Sequence, residues 1–271
     1  MFSDITIGQY YKENSFVHRL DARTKIILTV MFIAMLFMCK NFLSLALSVA
    51  FVIVSVFASR VPLRMFLKSL KPIVPVVIFT ALLNMFYIGG EKVLFPDWKI
   101  RITEEGLLTA VFFALRIVFL IVSSSILTYT TVPTDLTDAI EKLLSPLKLL
   151  HIPVHSFAMM MTLALRFIPT LIEEIDRIMN AQKARGADLE SGGIIQRAKA
   201  LVPIFIPLMV SSFRRAYELA FAMTCRCYTG GEGRTRMKQM KLSFRDFAAL
   251  VLCLAITAGV VVLNHFFEAV I

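Results

Sequence analysis

Three long, predominantly apolar runs, residues 42–58, 106–130 and 244–267, constrain this chain more than any other feature. The hydrocarbon core of a bilayer is about 30 Å thick, and about 20 apolar residues in a helix are needed to cross it. Within it only a helix or a closed barrel satisfies every backbone N–H and C=O without water. Residues 26–38 and 72–88 are two further apolar runs, the first split from 42–58 by Lys40-Asn41 and the second ended by Gly89-Gly90. The first pair reads as a helical hairpin, so the chain is predicted to be an all-α integral membrane protein with about five transmembrane helices. A hydrophobic content of 58% agrees, since it is too high for an ordinary soluble domain.

The formal charge of +10 is placed where a membrane protein would carry it. Basic residues cluster in 1–25, at Arg60, Arg64, Lys68 and Lys71, and through 134–245, between the apolar runs. That is the positive-inside pattern of cytoplasmic loops and excludes nucleic acid as the partner. The mixed-charge loop 91–105 then falls outside, with Tyr87 and Trp98 as an interfacial aromatic belt. Four regions follow: a cytoplasmic amphipathic lead (1–25), a bundle of four spans (26–130), a cytoplasmic region (131–243) and a final span (244–271). The lead is polar with no early apolar core or cleavage site, so it is not read as a signal peptide.

Residues 134–245 contain 154–172 and 201–223, both with considerable apolar content. Crossing the membrane with one of them would export most of the basic region. Crossing with both would carry Arg166 and Pro169, or Pro207 with Arg214-Arg215, into the bilayer. From Ile168 the apolar positions run Leu171, Ile172, Ile175, Ile178 and Met179, opposite Glu173, Glu174, Asp176 and Arg177. This is a helical stripe. Long amphipathic helices at the cytoplasmic face are therefore expected.

No catalytic, cofactor or metal chemistry is legible. There is no G-x-x-x-x-G-K-[ST] loop, so the chain does not cradle a nucleotide in that way. His151 and His155 flank Pro153 without the glutamate of H-E-x-x-H, and Cys225-x-Cys227 has no second pair to complete a zinc site. Cys39 and Cys253 sit inside apolar runs. Arg116, inside the fourth span, either snorkels to an interface or caps carbonyls within the bundle, or else contacts a partner or the cytoplasmic helices. Met159, Met160 and Met161 either pack or form a re-packable partner surface.

Two amphipathic stretches, 158–183 and 204–224, end in an arginine between small residues: Ala184-Arg185-Gly186 and Cys225-Arg226-Cys227. An Ile-Pro precedes each, at Ile168-Pro169 and Ile206-Pro207. A lone cation near a helix C-terminus gains only a few tenths of a kcal/mol from the macrodipole. Two matched copies suggest two equivalent sockets for a planar, forked guanidinium.

These motifs, with Gly8-Gln9-Tyr10-Tyr11, His18-Arg19-Leu20-Asp21-x-Arg23-Thr24-Lys25 and Tyr228-x-Gly230-Gly231-Glu232-Gly233-Arg234-Thr235, cover essentially the whole chain. Together they resemble the transmembrane coupling subunit, or T component, of energy-coupling factor transporters, the ABC-type importers of vitamins and micronutrients. The resemblance implies an L-shaped helical protein in the bacterial plasma membrane, with long cytoplasmic coupling helices. It implies that Ala184, Arg185, Gly186 and Cys225, Arg226, Cys227 insert into grooves of two ATP-binding cassette ATPase subunits. Here cysteine replaces both flankers of the second motif. The resemblance also implies one or more exchangeable substrate-binding membrane proteins as partners, no enzymatic activity in this chain, and a shared rather than a dedicated module. The rival readings are a stand-alone secondary transporter, which requires polar residues near the midplane of its spans, and a basic scaffold on anionic lipid.

Overall fold

The computed structural model describes residues 10–87, 103–150, 153–187, 193–230 and 240–266. Every regular element among them is helical: α1 (Ala22–Met38), α2 (Phe42–Ser59), α3 (Leu63–Leu70), α4 (Val74–Tyr87), α5 (Glu104–Thr130), α6 (Pro133–Leu143), α7 (Val154–Ala184), α8 (Ile194–Cys225) and α9 (Phe244–Phe266), with a 3₁₀ segment at Ser145–Leu150. The all-α expectation is borne out. The residues fall into two units, one within Gly8–Leu136 and Lys238–Ile271, the other within Thr137–Met237.

The first unit is a bundle in which α1 and α2 pack against α5 and α9, and α4 against α5. Its core is Phe32, Met35, Leu36, Leu45, Val52, Phe112 and Val260 with their neighbours. Polar side chains inside it return their hydroxyls to the backbone. Ser44 donates to the Asn41 carbonyl (2.8 Å) and Ser48 to that of Ser44 (3.0 Å), as apolar surroundings demand.

α9 is tied to α1 at both of its ends. The buried Asp246 carboxylate accepts the N–H of Asp21 (2.8 Å) and of Ser243 (2.7 Å), at the heads of α1 and α9. At the far end the Asn264 amide donates to the Met38 carbonyl (2.7 Å) and accepts from Lys40 N–H (3.2 Å). The first and last helices therefore run parallel, and the lead reaches the same face of the bundle as the chain that enters α9. The end of α5 is at that face too. Tyr11 N–H donates to the Tyr129 carbonyl (2.9 Å) and the buried Lys25 Nζ to that of Thr130 (2.8 Å).

Four helices are long and apolar enough to cross a membrane, namely α2, α5, α7 and α9, and the bent pair α3–α4 makes a fifth candidate. The chain is a multi-pass membrane protein. Two details differ from the sequence expectation. The basic segment at Arg60–Lys71 is not a loop but contains α3, which turns by 59° into α4. Arg64 and Lys68 share one side of it while Phe66 is buried, and Pro72, which cannot donate a backbone hydrogen bond, marks the corner. The second is α7, which qualifies as a span because Arg166 is the only Lys, Arg, Asp or Glu before Glu173. α1, at 17 residues, is about 26 Å long and just short of a full crossing. Gly89-Gly90, the 91–105 loop apart from its last residues, and Trp98 lie outside the described residues.

The second unit is built on α7 and α8, which pack along one another. α7 has 31 residues and α8 has 32, with Pro169, Pro203 and Pro207 inside them. Glu174 of α7 accepts from Ser211 and pairs with Arg215 of α8. Nearer the start of α7, Met159 Sδ accepts from the Tyr228 hydroxyl (2.8 Å), beyond the end of α8. The contacts run in opposite order along the two helices, which are therefore antiparallel.

Candidate functional site

Both arginine motifs close their helices in the same backbone geometry. Arg185 is the residue that caps α7, and Gly186 after it is left-handed, at φ +83°. Gly186 N–H donates to the Lys183 carbonyl (3.0 Å) and Ala187 N–H to that of Gln182 (3.0 Å). Arg226 caps α8, followed by left-handed Cys227 at φ +55°. Cys227 N–H donates to the Thr224 carbonyl (2.9 Å) and Tyr228 N–H to that of Met223 (3.0 Å). Each is the crossed bond pair of a Schellman motif, with the arginine at its C-cap.

This geometry gives the residue after each arginine a conformational role. The residue after each arginine must turn left-handed, which glycine does freely and other residues do at a cost of roughly 1–2 kcal/mol. Cys227 therefore carries strain that Gly186 does not.

The same bonds decide what the guanidinium groups can do. A cation at a helix end commonly hydrogen-bonds the last carbonyls of its own helix. Here backbone N–H groups already occupy the carbonyls of Gln182, Lys183, Met223 and Thr224. Arg185 and Arg226 are exposed, as are Ala184, Gly186, Cys225 and Cys227. Neither arginine side chain has a partner among the described residues, so its fork is free for a carboxylate or carbonyl from elsewhere.

Spacing sets where the two ends lie. Arg185 is eleven residues beyond Glu174, and Arg226 eleven beyond Arg215. The Glu174–Arg215 pair is thus the midpoint of an antiparallel hairpin, with each arginine about 17 Å of helix away in opposite directions. No local sequence signal linked Glu174 to Arg215, 41 positions apart.

The remaining expected residues divide. Arg116 is buried, and it donates to the Cys39 carbonyl at the end of α1, with Phe112 and Phe113 stacked at 4.7 Å and 5.2 Å. Its other contact capacity faces the bundle interior, where its Nε has no partner among the described residues. Met159 is half-buried and takes the Tyr228 hydroxyl, whereas Met160 and Met161 are exposed. His155 pairs with the Glu141 carboxylate (3.0 Å) and lies 3.4 Å from the Tyr228 hydroxyl. His151 lies outside the described residues. No cluster of three or more metal-ligating side chains occurs among the described residues.

The lead motif has a structural role that its sequence alone does not reveal. Asp21 caps α1 through the Arg23 N–H (3.0 Å) and pairs with the Arg23 side chain (2.8 Å). Burial raises the Asp21 pKa, but those Arg23 bonds outweigh it and hold the carboxyl below its ordinary value. The His18 ring sits between Ser15 Oγ (2.7 Å) and the Tyr11 carbonyl (2.9 Å). A carbonyl only accepts, so Nε2 carries the proton and Nδ1 accepts from Ser15. Burial lowers the His18 pKa and favours this neutral form.

Residues 13–237 match the model of the family described as CbiQ, cobalt transport protein. The chain belongs to the CbiQ family. It is 53% identical over 257 residues to the energy-coupling factor transporter transmembrane protein EcfT of Clostridium kluyveri, covering 94% of this chain and 95% of the relative. Proteins of the same name from Ruminiclostridium cellulolyticum and Bacillus subtilis are 47% and 44% identical, over 98% and 95% of this chain and 100% and 97% of their own lengths. The resemblance read from the motifs is thereby shown. The CbiQ description names cobalt, whereas the relatives' names state no solute.

Proposed function

We propose that the protein is the non-catalytic membrane subunit of an ATP-driven uptake transporter. It joins two ATP-binding cassette ATPase subunits, through Arg185 and Arg226, to a separate substrate-binding membrane protein. The observation that carries this reading is the pair of matched Schellman ends, each presenting an exposed, unpartnered arginine. Two matched ends in opposite directions from one midpoint suit two equivalent sockets.

The rest of the unit suits the same task. α7 and α8 are about 46 Å and about 48 Å long and pack antiparallel, so movement at an arginine end is transmitted along packed helices. α8 also exposes Val202, Ile206, Val210, Phe213, Tyr217 and Phe221 at helical spacing. An unpaired apolar stripe of this kind fits a hydrophobic partner, here the substrate-binding protein, with Met160 and Met161 as adaptable contacts. In this reading the arginine ends and the segment before α1 lie in the cytoplasm of a bacterial cell.

The test is co-purification from membranes, wild type beside Arg185→Glu/Arg226→Glu, with mass spectrometry of everything retained. The reading expects ATPase chains and small membrane proteins with wild type, and loss of the ATPases alone in the variant. Absence of any ATPase from the wild-type complex overturns it.

A further inference from the structure

Two cavities of opposite character meet in the membrane bundle. One, of about 330 Å³, is almost wholly apolar, and Leu20, Leu28, Phe32, Val52 and Leu252 are among its walls. The other, of about 650 Å³, is lined by Asn14, Ser15, Arg19, Arg60 and Arg245. Phe16 and Ala58 line both, so the two adjoin at those side chains.

The three arginines come from three separate segments. Arg19 precedes α1, Arg60 ends α2 and Arg245 opens α9. They therefore sit at the same end of three apolar helices, where a bilayer's headgroups begin. All three are exposed, and none has a side-chain hydrogen bond or ion pair among the described residues. No carboxylate lines either cavity. The nearby Asp246 carboxylate accepts the N–H groups of Asp21 and Ser243 and lines neither cavity.

Like charges converging without a counter-ion await an anion, and a guanidinium fork matches phosphate oxygens. The adjoining apolar space identifies the rest of the ligand. It is about twice an engineered 150 Å³ cavity that holds benzene, and so has room for roughly a dozen hydrocarbon carbons. We propose that this is a binding site for one anionic phospholipid, its phosphate among Arg19, Arg60 and Arg245 and part of one acyl chain in the apolar cavity. A zwitterionic headgroup brings a cation toward three guanidinium groups and is disfavoured. Basic pockets between membrane helices take anionic headgroups for the same reason.

Native mass spectrometry of the full-length protein tests this, with dioleoyl phosphatidylglycerol against dioleoyl phosphatidylcholine and with soluble glycerol 3-phosphate as a tail-free probe. Wild type is expected to retain phosphatidylglycerol at least tenfold over phosphatidylcholine, with no retention of glycerol 3-phosphate. Arg19→Gln/Arg60→Gln/Arg245→Gln should bring the ratio close to one. Ala58→Phe, which obstructs the junction but keeps the arginines, should reduce phosphatidylglycerol adducts several-fold and carries the test should the triple variant not fold. Equal retention of the two lipids by wild type overturns the proposal, as does a preference that survives both variants. Glycerol 3-phosphate binding as well as the lipid assigns the arginines to a free phosphate and overturns it too.

Discussion

Gly186 and Cys227 occupy equivalent places, one relaxed and one strained, so substitutions at the two should have opposite effects. A Cβ added at Gly186 meets no atom within 4 Å, so Gly186→Ala has no steric cost and tests backbone conformation alone. The left-handed penalty for a residue with a Cβ is roughly 1–2 kcal/mol. Glycine's greater freedom in the open chain offsets about 0.5–1 kcal/mol of that. The net cost of Gly186→Ala is then about 0.5–1 kcal/mol, and Cys227→Gly should stabilise the α8 end by a similar amount. Hydrogen exchange of the amides that close the two motifs, Gly186 and Ala187 or Cys227 and Tyr228, reads this directly. Exchange should accelerate about two- to fivefold in Gly186→Ala and slow by the same factor in Cys227→Gly. Unchanged exchange in Gly186→Ala, or faster exchange in Cys227→Gly, refutes the Schellman assignment.

Three further outcomes follow from the described contacts. Asp246→Ala leaves two backbone N–H groups without their acceptor, and should cost about 2–4 kcal/mol in thermal unfolding; Asp246→Asn keeps a single carbonyl acceptor and should cost less. A double-mutant cycle on Glu174 and Arg215, a partly exposed pair at 21% and 35% side-chain exposure, should give a coupling of about 0.5–1 kcal/mol; no coupling removes the pair as the midpoint clamp. His18 has a folded pKa below its ordinary 6.5, so its contribution is fully present above that value and is lost as pH falls through the folded pKa. Protease resistance of the segment before α1 should fall on acidification below pH 6.5 in wild type, and His18→Gln should remove that component.

The apolar runs made much of the fold legible. α2, α5 and α9 coincide with their runs to within a residue or two at each end, because continuous hydrophobicity of that length has one solution in a bilayer. The basic stretch before Pro72 carries helical spacing at Arg64 and Lys68 and again at Phe66 and Leu70, but its charge points to a loop. α7 was harder, since its first half has the composition of a span and its second half an amphipathic stripe. The arginine motifs are legible as two matched short patterns. Their shared backbone geometry is not, because Gly186 after a long helix is a recognisable left-handed cap signal and Cys227 is not. Contacts such as Lys25 with Thr130 and Asp21 with Asp246 join residues 105 and 225 positions apart, and nothing in the local sequence of either partner names the other.

The most direct test of the coupling role is photo-crosslinking in intact membranes, with benzoylphenylalanine placed singly at Arg185, at Arg226 and, as a control, at Phe213 on the α8 stripe. The account predicts ATPase adducts from both arginine positions and an adduct with a small membrane protein from Phe213. Adducts at both arginine positions that contain only lipid, or no ATPase chain, contradict it.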